Sequence, residues 1–155
     1  MIANYSLDTM VKGITTIEMQ TISEFYKVWE HKQYDVLDTI CVTNWKDIPL
    51  APNQEDSLEG FKKIIEGFTQ KFPDLKINIL DVFGTNERIA VRAEMSFTLQ
   101  SELFGIPATQ ERVIVRIHDF HYLQHGQLTH TWHLEDWFGL LMQSGGFTSK
   151  NNLIK

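Results

Sequence analysis

The segment from Arg88 to Leu99 alternates apolar and polar side chains along most of its length. Its apolar residues on one face are Ile89, Val91, Ala93, Met95, Phe97 and Leu99. Because successive side chains of a strand point to opposite faces, this pattern predicts a long strand with one buried face and one solvated face. Such a strand has to be covered on its buried side by a second layer of the fold.

The rest of the second half follows the same period. Residues 75 to 82 alternate more loosely, and Gly84, Thr85 and Asn86 form a turn signal before Arg88. A third long strand is predicted over Arg112 to Gln124, and Gly126 turns the chain into a fourth. The second half therefore predicts four antiparallel strands.

The first half has helical spacing instead. Thr15 and Glu18 form a possible capping box before one apolar helical face, and Asp56 and Glu59 form another before the strongest helix, which Pro73 stops. A short helix is predicted from Tyr34 to Cys41, and the proline-containing segment from Asn44 to Glu55 is expected to be a loop. Helices followed by long antiparallel strands predict an α+β domain in which the helices cover one side of a curved sheet. We predict one domain over residues 14–146, with a flexible arm at 1–13 and a tail at 147–155.

Composition limits the partners and the compartment. The formal net charge is −6, which argues against nucleic acid or an anionic membrane as a partner, since both need clustered Lys and Arg. No apolar run is long enough to span a bilayer, and the first residues do not have the pattern of a signal peptide, so we expect a cytoplasmic protein. A single cysteine, Cys41, excludes an intramolecular disulfide framework.

Polar residues enter the predicted inner face of the last two strands. In the third strand Asp119 and His121 share a parity with its apolar residues, and in the fourth His130, Trp132 and Asp136 share a parity with Leu128 and Leu134. If both faces point inward, carboxylates, imidazoles and an indole line a mostly apolar hollow, as expected for a small-molecule pocket. Asp136 lies among aromatic and leucine residues, where a carboxylate is costly to bury unless it is paired, protonated or functional.

Structural roles compete with each of these interpretations. Asp136 precedes a short apolar helix and could cap it. His121 and His130 could be satisfied core histidines, Asp119 could pair with an arginine, and Trp132 could belong to the core. The histidines at 118, 121, 130 and 133 lie three apart within each strand and so point to opposite faces, which argues against a metal site. The chain also has no glycine-rich phosphate loop and no nucleophile elbow.

Several short segments together resemble the SnoaL-like polyketide and ester cyclases of the nuclear transport factor 2-like superfamily. The resemblance rests on Phe72-Pro73-Asp74, on Asn86 to Arg92, on the Gly105-Ile106-Pro107-Ala108-Thr109 loop, and on the ending from Trp132 through Asp136 and Gly139-Leu140-Leu141 to Gly145. It implies a cone-like, cystatin-like half-barrel: a curved antiparallel sheet with the N-terminal helices on its concave face, a deep pocket between them, and a homo-oligomer, either a dimer or a tetramer. It also implies that Asp136 is the acid/base for an intramolecular aldol closure that needs no metal or cofactor.

The chain departs from this family where the family often has Gly-Thr-His and the chain has Phe97-Thr98-Leu99. A phenylalanine there would narrow the pocket, so Phe97 joins His130, Trp132, Asp119 and His121 as predicted ligand-binding residues. The first hypothesis is therefore a cofactor-independent cyclase or isomerase that acts on a small apolar carbonyl compound with Asp136 as the acid/base. The second is a non-catalytic ligand-binding or oligomeric scaffold protein of the same fold, in which Asp136 is a capping or paired acid.

Overall fold

The computed structural model describes residues 13–85 and 87–145, so Asn86, most of the predicted arm and the predicted tail lie outside the described part. Within these described ranges, four helices and five strands follow one another in an α+β arrangement, which confirms the predicted fold class. In chain order they are α1 (Thr16–His31), α2 (Val36–Ile40), β1 (Cys41–Ile48), α3 (Leu58–Lys71), β2 (Lys76–Thr85), β3 (Arg88–Thr98), β4 (Arg112–Gln124), β5 (Gln127–Glu135) and α4 (Trp137–Gln143).

The two long helices begin at side-chain caps. The capping box of α1 is complete, because the Thr15 hydroxyl accepts from the Glu18 N–H and the Glu18 carboxylate accepts from the Thr15 N–H. The cap of α3 is Ser57, whose hydroxyl accepts from the Gly60 N–H, and not Asp56 as the sequence suggested. Both helices place their apolar faces against the same side of the sheet, where the core lies.

The five strands form one curved, unclosed sheet in the order β1-β5-β4-β3-β2. The four predicted strands pair with one another in the antiparallel direction, and β1 adds to the sheet by pairing with β5 in the parallel direction. The predicted loop from Asn44 to Glu55 is therefore wrong in its first half, which belongs to β1. Its two prolines, Pro49 and Pro52, both follow the end of the strand and so do not interrupt its hydrogen bonds.

The inner and outer faces of β4 follow the predicted alternation throughout its length. In β5 they do not, because the register shifts after Leu128. Leu123 pairs with Leu128, whereas Tyr122 pairs with His130, so Thr129 is an extra residue on β5. An extra residue in one strand reverses which side chains face inward beyond it.

The predicted inner face of β5 is consequently wrong beyond Leu128. Thr131, His133 and Glu135 pair with the inward-facing residues His121, Asp119 and Ile117 of β4. His130 pairs with the outward-facing Tyr122, and Trp132 with the outward-facing Phe120. Among the described residues, no helix is long and apolar enough to cross a membrane.

Candidate active site

A cavity of about 730 Å³ lies between the inner face of the sheet and helices α1 and α3. Its volume falls within the range of pockets that hold drug-sized ligands. Much of its wall is apolar and aromatic: Phe25, Trp29, Leu50, Phe61, Ile64, Phe68, Ile77, Met95, Leu103, Phe104, Ile117 and Trp137. Its polar lining includes Tyr26, Asp47, Gln54, Asp119, Thr131, His133 and Glu135, with Lys63 and Lys71 also contributing from α3. The cavity therefore suits a mostly apolar ligand with a small number of polar groups.

Asp119 is the most deeply placed acid of this wall, with only 4% of its surface exposed. Its Oδ2 accepts a hydrogen bond of 2.6 Å from the Tyr26 hydroxyl. Its other oxygen, Oδ1, is buried, and no donor among the described residues forms a hydrogen bond of good geometry with it. The Leu134 backbone N–H is nonetheless near enough to the carboxyl group to lower its pKa. Burial raises the pKa of Asp119 to about 7, although the Tyr26 hydrogen bond opposes the shift by stabilising the carboxylate. A carboxyl group with such a pKa can both accept and return a proton near neutrality.

Three further side chains extend from Tyr26 into the protein interior. The Tyr26 hydroxyl lies 2.9 Å from His121 Nε2, and His121 Nδ1 lies 3.0 Å from the Thr131 hydroxyl. The indole N–H of Trp45 donates to the same Thr131 hydroxyl at 3.2 Å. His121 is fully buried, and this burial lowers its pKa to about 3, so its imidazole is neutral at ordinary pH.

A second cluster of polar groups surrounds His133, which is paired with Asp119 between β4 and β5. Its Nδ1 lies 2.9 Å from a Glu135 oxygen, and its Nε2 lies 2.7 Å from the Pro49 carbonyl and 3.4 Å from Asp47. Burial alone would lower the pKa of His133, but the hydrogen bond and charge of Glu135, with the charge of Asp47, raise it to about 9. His133 is therefore an imidazolium at neutral pH, and both of its N–H groups donate.

The predicted catalytic residue Asp136 occupies a different environment. It is the N-cap of α4, where Oδ1 accepts from the Gly139 N–H at 2.7 Å, and Oδ2 lies 3.4 Å from an Arg116 guanidinium nitrogen. About a third of its side chain is exposed, and the described cavity wall does not include it. Gly139 allows this cap, because a Cβ at that position would collide with the carboxylate. The position matches the capping alternative, while a catalytic role for Asp136 stays a prediction.

Of the residues predicted to bind a ligand, the structure brings only Asp119 to the cavity wall. His121 is buried and connects to Asp119 through the Tyr26 hydroxyl. Phe97 is fully buried against Phe68 and Phe72, outside the cavity lining. A role for each of them in ligand binding stays a prediction.

His130 and Trp132 lie on the outer face of the sheet. They stack with ring centroids 5.3 Å apart, beside Tyr122. Large apolar side chains of this outer face are also exposed: Ile114, Phe120 and Leu134. Ligand binding by His130 and Trp132, and the predicted homo-oligomer, stay predictions.

Sequence reasoning missed most of the polar residues of the wall. Tyr26 falls on the apolar face of α1, and Asp47 lies in the predicted loop. Thr131 and His133 were placed on the outer face of β5. The polar side chains at 131, 133 and 135 repeat with a strand period, which was the available signal, but the position of the bulge is not visible in it.

No described segment brings together three or more His, Cys, Asp or Glu side chains that could hold a metal ion. The expectation of a reaction without metal or cofactor stays a prediction.

Comparison with known proteins gives one family and one fold. A model of the family described as SnoaL-like polyketide cyclase matches residues 20–144. None of the curated protein sequences matches the chain. Among solved structures, TsrD from Streptomyces laurentii is 22% identical with a TM-score of 0.73, over 83% of this chain and 95% of that one.

Two further structures show the same likeness. A SnoaL-like polyketide cyclase from Agrobacterium tumefaciens is 18% identical with a TM-score of 0.69, over 81% of this chain and 96% of that one. A protein from Bacillus cereus, described as a proposed polyketide cyclase, is 21% identical with a TM-score of 0.72, over 84% and 81% of the two chains. At these identities the structures establish a shared fold, whereas the family match spans most of the sequence. The chain belongs to the SnoaL-like polyketide cyclase family.

Proposed function

We propose that this protein catalyses cofactor-independent proton transfer, leading to cyclisation or isomerisation, on a small and largely apolar carbonyl compound. The observation that carries the proposal is Asp119 Oδ1, a buried carboxyl oxygen without a partner among the described residues, on a residue of the cavity wall. A buried polar atom without a hydrogen bond is costly, and such atoms are found preferentially where they have a function. In this proposal the acid/base role that the family resemblance implied for Asp136 belongs to Asp119.

The chemistry begins with removal of a proton from the carbon next to the carbonyl group. Asp119 Oδ1 accepts this proton, and the electron pair of the C–H bond moves to the carbonyl oxygen to form an enolate. The positive charge of His133, on the neighbouring strand, stabilises this developing negative charge inside the cavity. Asp119 then returns the proton to a different carbon in an isomerisation, or to the new alkoxide oxygen after an intramolecular aldol attack.

The apolar wall supports this choice of substrate class. Aromatic side chains from α1, α3 and α4 surround the region next to Asp119, so most of a bound molecule would contact carbon atoms. Exclusion of water by these side chains keeps the pKa of Asp119 near 7 and strengthens its interaction with His133.

The test is deuterium incorporation into 2-tetralone, a bicyclic aromatic ketone with an acidic C–H group next to its carbonyl. Proton NMR in D2O should show saturable exchange above the buffer rate, rising with pH through about 7 as Asp119 ionises. Folded protein that binds 2-tetralone, as measured by a shift in melting temperature, but gives only the buffer rate of exchange would contradict the proposal. That result would favour a non-catalytic ligand-binding protein.

Gly67 gives a matched control for use of the cavity. It belongs to the cavity wall on α3, and a Cβ placed there meets no atom within 4 Å. We expect Gly67→Trp to narrow the cavity and lower kcat/KM for the exchange, and Gly67→Ala to leave it nearly unchanged. Equal exchange by both variants would place the reaction elsewhere on the protein.

A further inference from the structure

Asp119 is the end of a continuous chain of buried hydrogen bonds. The chain runs from Trp45 through Thr131, His121 and Tyr26 to Asp119, with successive distances of 3.2, 3.0, 2.9 and 2.6 Å. Trp45 and His121 do not belong to the described cavity wall, so neither is placed to touch a ligand. Any effect they have on a reaction must therefore pass through the chain.

The direction of this chain follows from its first member. An indole N–H can donate but cannot accept, so Thr131 must accept from Trp45. The single hydroxyl hydrogen of Thr131 is then free to be donated to His121 Nδ1. A neutral imidazole that accepts at Nδ1 carries its hydrogen on Nε2, which donates to the Tyr26 oxygen. The Tyr26 hydrogen remains for Asp119 Oδ2.

The reverse direction leaves a group unsatisfied. In that case Asp119 would carry a proton on Oδ2 and donate to Tyr26, and His121 would donate from Nδ1 to Thr131. Thr131 would then accept from both Trp45 and His121, and its own hydroxyl hydrogen would have no acceptor in the described part of the chain. Leaving a buried donor unpaired is costly. In the forward direction the Trp45 N–H also supplies the hydrogen that the Thr131 oxygen accepts, so only that direction satisfies every member of the chain.

We propose that Trp45 fixes a one-way hydrogen-bond chain through Thr131, His121 and Tyr26 that keeps Asp119 Oδ2 as an acceptor and leaves Oδ1 to exchange the proton. The statement about Oδ1 rests on the proposed function, whereas the direction of the chain does not. Trp45, Thr131 and His121 are thus positioning residues. They hold one carboxyl oxygen as an acceptor, while the other has no hydrogen-bond partner among the described residues.

The direct test is the tautomer of His121, read from the 15N chemical shifts of its ring nitrogens by NMR between pH 6 and 8. We expect wild-type protein and Thr131→Ser to hold a single neutral tautomer with hydrogen on Nε2. In Trp45→Phe the Thr131 oxygen has a donor only when His121 donates to it, so the form with hydrogen on Nδ1 should appear. Thr131→Val, which keeps the shape but removes the hydroxyl, should also lose the single-tautomer state.

A wild-type His121 with hydrogen on Nδ1, or a tautomer mixture that Trp45→Phe does not change, would overturn the proposal.

The second measurement is the pH dependence of 2-tetralone exchange. Thr131→Val should move the pH of half-maximal rate upward, because Asp119 loses a polarised donor, and Thr131→Ser should restore it. The NMR result needs no turnover. A single Nε2–H tautomer without catalysed exchange would refute the proposed function while supporting the chain direction.

Discussion

Asp119 and Asp136 are two acids that the sequence places on one pocket wall and that the structure places in different environments. Asp119 is 4% exposed, and its Oδ1 has no partner within the described residues. Asp136 is about a third exposed at the side chain, and both of its oxygens are engaged, by the Gly139 N–H and by Arg116. The difference shows that apolar neighbours in sequence do not make a carboxyl group buried. Burial depends on the face of the strand and on what packs against it.

Neutralising each acid in turn tests directly whether Asp119 or Asp136 acts as the general base. Asp119→Asn should lower the rate of 2-tetralone exchange by at least about 100-fold, since a positioned general base contributes on that order. Asp136→Asn should keep the rate within about twofold, because an asparagine caps a helix as well as an aspartate does. The exchange assay measures both variants, and circular dichroism checks that each is folded. A 100-fold loss in Asp136→Asn alone would restore the family-implied role of Asp136.

The Tyr26→Phe variant tests whether the Tyr26 hydrogen bond controls the ionisation of Asp119. Tyr26→Phe removes the hydrogen bond that opposes the raised pKa of Asp119, so that pKa should rise further. The rate of exchange at pH 7 should fall by about tenfold, as expected for one hydrogen bond to a charged group. The pH–rate profile should shift to higher pH. A profile unchanged in position would mean that the Asp119–Tyr26 contact does not control ionisation.

The raised pKa of His133 can be tested through the pH dependence of the melting temperature. Its pKa is about 9 in the folded protein, against about 6.5 for an unperturbed histidine. The folded state therefore binds the proton more tightly, and this stabilisation is fully present below pH 6.5 and is lost as pH rises to 9. His133→Gln lacks this contribution. We expect wild-type protein to lose more melting temperature than the variant between pH 6.5 and 9, by roughly 5 °C.

Thermal melts of wild-type protein and His133→Gln across that range make the comparison. Removing the His133 charge also raises the pKa of Asp119, so the difference between the two curves reports His133 together with its interaction with Asp119. Parallel curves would show that His133 is not an imidazolium in the folded state.

The smallest expected effect belongs to the cap of α4. Asp136→Ala should lower the free energy of unfolding by about 1 kcal/mol, as is usual for loss of an N-cap side chain. The matched Arg116→Ala should cost no more than about 0.5 kcal/mol, because the Arg116 side chain is 71% exposed and solvent weakens its ion pair. Urea denaturation measures both changes. A larger loss for Arg116→Ala would mean that the ion pair, and not the cap, holds Asp136.

Parts of the site region could be predicted where a short sequence spacing is enough to specify the local structure. The capping box at Thr15 and Glu18 and the inward parity of Asp119 and His121 on β4 all follow from short spacings in the sequence. Strand β1 was missed as an element, because the sequence predicted a loop from Asn44 onward. Asp56 in place of Ser57 as the cap of α3 was an error of one residue at an element boundary. Such boundaries depend on tertiary contacts that local spacing does not encode.

The α+β order of elements, the strand periods and, through several short motifs, the family are all readable from the sequence. Which acid faces the cavity depends on the tertiary structure. One extra residue at Thr129 reverses the faces of β5, bringing Thr131 and His133 inward and sending His130 and Trp132 outward. The packing of the helices on the sheet also brings Trp45, Tyr26 and His121 together from β1, α1 and β4. The physical reason is that a bulge changes side-chain direction without changing composition, and that hydrogen bonds between distant segments form only when the sheet and helices pack.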